Sequence, residues 1–113
     1  LKRLGAAAAG AGHTVHVGAL ESLNLPQAAF DVVVLSEIIE HLPRPRGTLE
    51  AARRLLRPGG ALYLTTPNFD ALARRVLKAR WRVISLPEHL CYFNRTSLAR
   101  LLRAVGLLPA SVV

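Results

Sequence analysis

The stretch Phe30–His41, FDVVVLSEIIEH, constrains this chain more than any other. Val32, Val33, Val34 and Leu35 form an unbroken apolar run. That is the pattern of a central parallel strand buried on both faces, because crossover helices cover such a sheet above and below. Ser36, Glu37, Glu40 and His41 follow at once. In open α/β sheets, ligands bind just outside the carboxyl ends of the strands. Two carboxylates, an imidazole and a hydroxyl at such an end mark the place where function is expected.

The flanking patterns alternate between the helical and the extended period. Leu1–Gly10 reads as the tail of an alanine-rich helix closed by Gly10 or Gly12. His13–Gly18, HTVHVG, alternates and is β-branched, which predicts a short strand. Thr48–Arg57 is predicted helical, with Leu49, Ala52 and Leu56 on one face and arginines on the other. The Arg57-Pro58-Gly59-Gly60 run stops it, and Ala61–Thr66 predicts a second apolar strand. Asn68 is placed to cap a helix that turns Phe69, Leu72, Val76 and Ala79 inward. Residues 80–94 carry no regular period. Thr96 or Ser97 would cap a last helix, whose Leu98, Leu101, Leu102 and Val105 fall on one stripe before Gly106 ends it. Ser111–Val113 begins another strand. The order α-β-β-α-β-α-α-β predicts an α/β fold with a mainly parallel sheet flanked by helices.

Composition narrows the class. At 113 residues with 51% hydrophobic side chains, the chain is one globular domain at most. The lone Cys91 excludes an internal disulfide, suits a reducing, cytoplasmic setting, and reads as a buried structural thiol. No apolar run approaches the ~20 residues that span a bilayer, so no membrane partner is expected. The basic, small-residue start LKRLGAAAAGAG lacks the bulky apolar centre of a signal peptide. Fifteen Lys and Arg against seven Asp and Glu give a formal charge of +8. That excess suits a nucleic-acid partner or simply a solvated arginine-rich surface.

The spacing E-x-x-E-H is the chemically pointed motif. On a helical turn Glu37 would lie one turn from both Glu40 and His41, so the three can converge. Two carboxylates and an imidazole suit Mg²⁺, Mn²⁺ or Zn²⁺. The same residues also suit a turn with Glu40 paired to an arginine and His41 packed on the sheet. Trp81, Tyr92 and Phe93 either form a lid over a substrate or a small packing cluster.

Three segments in this order and spacing, FDVVVLSEIIEHL, RLLRPGG and PEHLCYFN, resemble the class I S-adenosylmethionine-dependent methyltransferases. Within that family the branch with the ubiquinone-pathway O-methyltransferases is the most similar. The resemblance covers essentially the whole chain and implies a Rossmann-like methyltransferase fold that is only partial. His13–Gly18 would be the family's third strand, Phe30–Ser36 the fourth, Ala61–Thr66 the fifth and Ser111–Val113 the start of the sixth. Residues 1–113 would then be a single, incomplete methyltransferase domain, since the first strand with its glycine-rich turn has no counterpart here. Gly5, Gly10 and Gly12 follow no strand and are no substitute.

The resemblance also implies site residues. Gly18, Ala19 and Leu20 would lie along the adenine of S-adenosylmethionine, and Leu35 and Ser36 beside its methionine part. Ala19 stands where the family often has an acidic residue for the adenine amino group. For a metal, the resemblance adds His89, in PEHL, to Glu37, Glu40 and His41. With the first two family strands absent, His13–Gly18 would sit roughly 14 Å from the fourth strand at ~4.8 Å per strand. It must re-pair within the chain, or exposed strand edges must pair between chains in a homodimer. Two functions follow as expectations. One is methyl transfer from S-adenosylmethionine to an unidentified small-molecule or nucleic-acid acceptor, with little or no activity in the isolated chain. The other is a small basic α/β module that binds nucleic acid or a partner protein without catalysis.

Overall fold

The structure is a computed structural model that describes residues 6, 8–71 and 89–111. Its centre is a pair of parallel strands, β1 (Phe30–Ser36) and β2 (Leu56–Thr65). Helix α1 (Pro45–Leu55) makes the crossover between them, and α2 (Arg95–Ala104) follows later in the chain. β1 has the bounds the valine run predicts. From Val32↔Ala61 to Ser36↔Thr65 the ladder runs without interruption, so both strands end level.

Helix α1 starts three residues earlier than its apolar stripe predicts. Pro45 opens it, where a missing N–H costs nothing, and Arg46 pairs with Glu50 one turn on at 2.9 Å. Leu49 and Ala52 are completely buried. The helix ends at Leu55 because the chain turns straight into β2; Arg57 is therefore a strand residue, not a helical one. Ala28 and Ala29, just ahead of β1, donate to the Arg54 and Leu55 carbonyls and close the helix end.

The Arg-Pro-Gly-Gly run lies inside β2 and does not merely precede it. Phe30 pairs with Leu56 and Val32 with Ala61, so residues 57–60 stand opposite Asp31 alone. The excursion is clamped by an ion pair from the Arg57 guanidinium to Asp31 Oδ1 at 2.5 Å. Gly60 is favoured here, since a Cβ would crowd the Arg57 and Asp31 carbonyl oxygens at 3.0 and 3.1 Å.

Helix α2 is capped by Asn94 and not by Thr96 or Ser97. The Asn94 side chain accepts from the Ser97 N–H at 2.8 Å, and the Ser97 hydroxyl accepts from the Asn94 N–H at 2.9 Å. The cap thus sits two residues before Thr96, and Ser97 takes part as the third helical residue of a capping box instead of as the cap. Gly106 follows with φ +79, the left-handed stop predicted for it.

The core lies on one face of the strand pair. Leu35, Ile39, Leu49, Ala52, Phe93, Leu102 and Val105 form its buried cluster, with Val33, Leu62 and Leu64 beneath the helices. The expectation of burial on both faces is corrected among the described residues. Val32, Val34 and Tyr63, on the opposite face, are 54%, 57% and 59% exposed. Period-2 alternation sends these side chains away from α1 and α2, which occupy a single side.

The predicted strand at His13–Gly18 is not formed: these residues are exposed and carry no ladder pairing. A strand is defined by its partner, and β1 and β2 pair only with each other among the described residues. Re-pairing within the chain is therefore also absent there. At the amino end, residues 8–10 are helical and Gly12 has φ +87, in line with the alanine-rich tail. Ser111 is not in a strand, and Val112 and Val113 lie outside the described residues. So do Leu72, Val76, Ala79 and Trp81, and with them the helix expected after Asn68 and part of the expected lid. Asn68 itself forms a single parallel bridge with Phe93.

Candidate active site at the carboxyl ends of the strands

Because β1 and β2 end level, their last residues meet. Ser36 Oγ and Thr65 Oγ1 lie 3.1 Å apart in a hydrogen bond. The Glu37 N–H donates to the Thr65 carbonyl at 3.1 Å and to its hydroxyl at 3.2 Å. Glu37 takes φ +50, the left-handed region, and the chain leaves the sheet sharply at that point. Ile39–His41 then forms one 3₁₀ turn. Ile39 anchors this turn in the core with no exposure.

The tight turn decides which of the ionisable groups meet. Glu40 is 2% exposed, and its Oε2 accepts from the Thr66 hydroxyl at 2.9 Å. Its Oε1 stands 3.9 Å from His41 Nε2. Its backbone carbonyl accepts from the Leu90 and Cys91 N–H groups at 2.8 and 3.0 Å. That pair of bonds brings His89, the residue just before Leu90, alongside, so that its ring packs edge-on to His41 with centroids 4.6 Å apart. One ligand atom each from Glu40, His41 and His89 lies within 4.8 Å of the other two. Glu37 is outside this group. Its predicted place on a helical turn with Glu40 is corrected by the left-handed residue, which turns the backbone before the 3₁₀ turn begins.

An aromatic ladder continues from the pair of imidazoles. Tyr92 lies 6.1 Å from His89 and 5.2 Å from Phe69, ring to ring. The Tyr92 hydroxyl is buried with no hydrogen-bond partner among the described residues. A buried hydroxyl left unpaired costs about 1–3 kcal/mol. Phe93 goes instead into the core, and its carbonyl accepts from the Phe69 N–H at 2.8 Å. Cys91 is half-buried, with Sγ 3.7 Å from the Leu42 carbonyl, rather than fully enclosed.

The five positions that the resemblance assigns to the cofactor fall in two groups. Leu35 and Ser36 occupy the end of β1, Leu35 in the core and Ser36 at the exposed rim. Gly18 and Ala19 are exposed, and Ala19 precedes a 3₁₀ turn, Leu20–Ser22. Leu20 packs against the same core cluster as Leu35. The turn is fastened to α1 by the Thr48 hydroxyl, which donates to Glu21 Oε1. This bond, a backbone N–H and the nearby Arg44 charge hold the Glu21 carboxyl below the usual glutamate range, against a small opposing effect of burial.

Thr65 and Thr66 are the positions in this cluster that pattern reading overlooks. Their signal was available: in a parallel pair of equal reach, whatever ends β2 must face whatever ends β1.

A crossover helix between parallel strands, with polar groups gathered at their carboxyl ends, defines a ligand-binding α/β protein of the Rossmann-like class. The family profile of the methyltransferase domain matches residues 6–111, and the chain belongs to that family, the class I S-adenosylmethionine-dependent methyltransferases. It is similar to the ubiquinone biosynthesis O-methyltransferase of Aromatoleum aromaticum, 33% identical over 104 residues, covering 87% of this chain and 44% of that protein. The same enzyme of Xanthomonas axonopodis pv. citri is 36% identical over 98 residues, 80% of this chain and 41% of that one. A SAM-dependent methyltransferase structure from Thermotoga maritima superposes with a TM-score of 0.77 at 24% identity, over 93% of this chain and 51% of its own. The chain thus spans less than half the length of the curated relatives it matches. Among the described residues no helix is long and apolar enough to cross a membrane.

Proposed function

We propose that this chain supplies the acceptor side of a methyl-transfer site, where Glu40, His41 and His89 hold a divalent cation that orients a hydroxyl-bearing substrate. When bound, S-adenosylmethionine supplies an electrophilic methyl group on a sulfonium centre. The residues beside it would be Leu35 and Ser36, with Gly18, Ala19 and Leu20 along the adenine. Such transfer is governed by alignment and exclusion of water, so it needs few dedicated acid–base groups.

The observation that carries this reading is the convergence of one buried carboxylate and two imidazoles at the carboxyl ends of β1 and β2. A donor set of one oxygen and two nitrogens suits Zn²⁺ or Mn²⁺. Thr66 holds the second oxygen of Glu40, the kind of outer partner that keeps a ligating carboxylate in place. Glu37 remains near enough in sequence to meet the acceptor, but it is not grouped with the three. The relatives' names, O-methyltransferases, favour a hydroxyl acceptor over a nitrogen or carbon one.

As an isolated polypeptide the chain binds cofactor weakly and turns over little, in this reading, because among the described residues one face of the strand pair is exposed. The open strand edges and the exposed Val32, Val34 and Tyr63 favour association of two copies in a homodimer. Titration calorimetry with Zn²⁺ or Mn²⁺, then with S-adenosylhomocysteine, tests the proposal. One metal per chain, lost in His41→Ala and His89→Ala, is expected. Saturable heat from S-adenosylhomocysteine with no metal uptake would sink the cation while keeping the methyltransferase.

A further inference from the structure

The opposite end of the same strand pair carries a second feature, about 20 Å away along β1 at ~3.3 Å per residue. There the end of α1, the 57–60 excursion and the turn after α2 border two adjoining open concavities of about 470 and 440 Å³. Both are lined by Arg53, Arg54 and Gly106, and the larger one also by Arg57 and Gly59. Together they make one groove with three guanidinium groups along it. Glu50 stands at the far end, where it is engaged by Arg46.

Arginines in the last turn of a helix ordinarily answer the negative end of the helix dipole. Here the carbonyls that they would serve are already taken. The Ala52, Arg54 and Leu55 carbonyls accept from the Leu56, Ala28 and Ala29 N–H groups respectively. Arg57 has Asp31, but Arg53 and Arg54 have no ion-pair partner among the described residues. Arg53 is nevertheless held: its guanidinium lies across Gly106, close enough that a Cβ there would meet Nε at 3.0 Å. A cation positioned by backbone and free of any carboxylate is ready for an external anion.

We propose that this groove binds the phosphodiester backbone of single-stranded nucleic acid without regard to sequence. An open groove offers a compact anion contacts on one side only. An extended polyanion can engage Arg54 and Arg53 in succession and gain from the release of its counterions. Among the described residues the lining carries no aromatic side chain on which bases could stack, so the arginines read the backbone. The +8 formal charge adds long-range attraction but does not choose the place. This site is independent of the Glu40 cluster and stands whether or not that cluster takes a metal.

Fluorescence anisotropy with a labelled fifteen-nucleotide oligo-dT, between 50 and 200 mM KCl, tests the assignment. Arg53→Ala with Arg54→Ala is expected to weaken binding at least tenfold at 50 mM. It should also flatten the log–log salt slope by about 1.4, at ~0.7 per phosphate contact on a single strand. Removing the same charge elsewhere, Arg44→Ala with Arg100→Ala, should weaken binding less than threefold. Arg54→Glu, at an exposed position not packed on Gly106, gives a second variant should the double one fail to fold, with the same tenfold loss expected. Equal losses from both double variants would overturn the groove in favour of general charge attraction. Displacement of the oligonucleotide by micromolar pyrophosphate would overturn it in favour of a small-anion site.

Discussion

Thr66 Oγ1 donates to Glu40 Oε2 at 2.9 Å, joining the residue after β2 to the carboxylate after β1. Glu40 is almost wholly buried, so this hydroxyl is the contact that keeps its carboxylate oriented. Thr66→Val keeps the shape and removes the donor. We expect a loss of about 1–2 kcal/mol in urea unfolding, because a buried acceptor is left under-satisfied. If Glu40 is a ligand, metal affinity in the same variant falls about 10–100-fold. Unchanged unfolding would show that Glu40 finds water or another donor.

His89 is brought to the cluster by its neighbours Leu90 and Cys91, whose N–H groups donate to the Glu40 carbonyl, and by its ring contact with His41. His89→Ala should abolish saturable Zn²⁺ heat while leaving the melting temperature of the metal-free protein nearly unchanged. Addition of a chelator to metal-loaded protein should lower that temperature, since a ligand bound only by the native state stabilises it. A chelator without effect on the loaded protein removes the cation from the site.

The Glu21–Thr48 bond makes a pH prediction. Hydrogen bonding by Thr48, then the backbone contact and Arg44, lower the Glu21 carboxyl in the folded state. A depressed folded value stabilises fully above the unfolded value of about 4.3, and the benefit is lost as pH falls through the lower folded value. Thr48→Val should therefore cost about 1 kcal/mol at pH 6, a figure kept small because Glu21 faces solvent. The difference between wild type and variant should shrink toward pH 3. A gap that is constant with pH would mean that Thr48 acts through packing alone.

Val34 and Tyr63 are cross-strand neighbours on the open face. Val34→Lys places a charge at the middle of that face, a substitution that natural edge strands use against association. Sedimentation velocity should show wild-type dimer giving way to monomer, with the melting temperature of the monomer unchanged. A wild type that sediments as a monomer at every concentration ends the homodimer proposal.

Gly60→Ala tests the excursion in β2. A methyl group would meet two backbone carbonyl oxygens and Leu56 Cδ2 at 3.0–3.1 Å, and backbone cannot step aside as a side chain can. A destabilisation of about 1–3 kcal/mol is expected from unfolding midpoints. A neutral result would mean that residues 57–60 adapt freely.

Several elements could be read directly from residue order. The apolar run at Val32–Leu35 specified β1 to the residue, and the leucine stripe specified α2, because both periods are local properties of the backbone. Asn94 shows the limit of such reading. Three capping-competent side chains stand nearly together, and which one caps depends on where the Phe93 carbonyl is already engaged by Phe69.

His13–Gly18 shows a deeper limit, since a β-branched pattern becomes a strand only where another strand lies beside it. The metal-type cluster shows the same division. Residue order supplied Glu37, Glu40 and His41 and the family resemblance added His89, but a left-handed Glu37 and the Glu40 carbonyl determined that the second histidine joins and the first carboxylate does not. The local code thus established which segments extend or coil and which chemistry they carry. Tertiary packing alone selected the partners, because hydrogen bonds between distant segments depend on register and on which face is covered, and neither is encoded within a turn or two of chain.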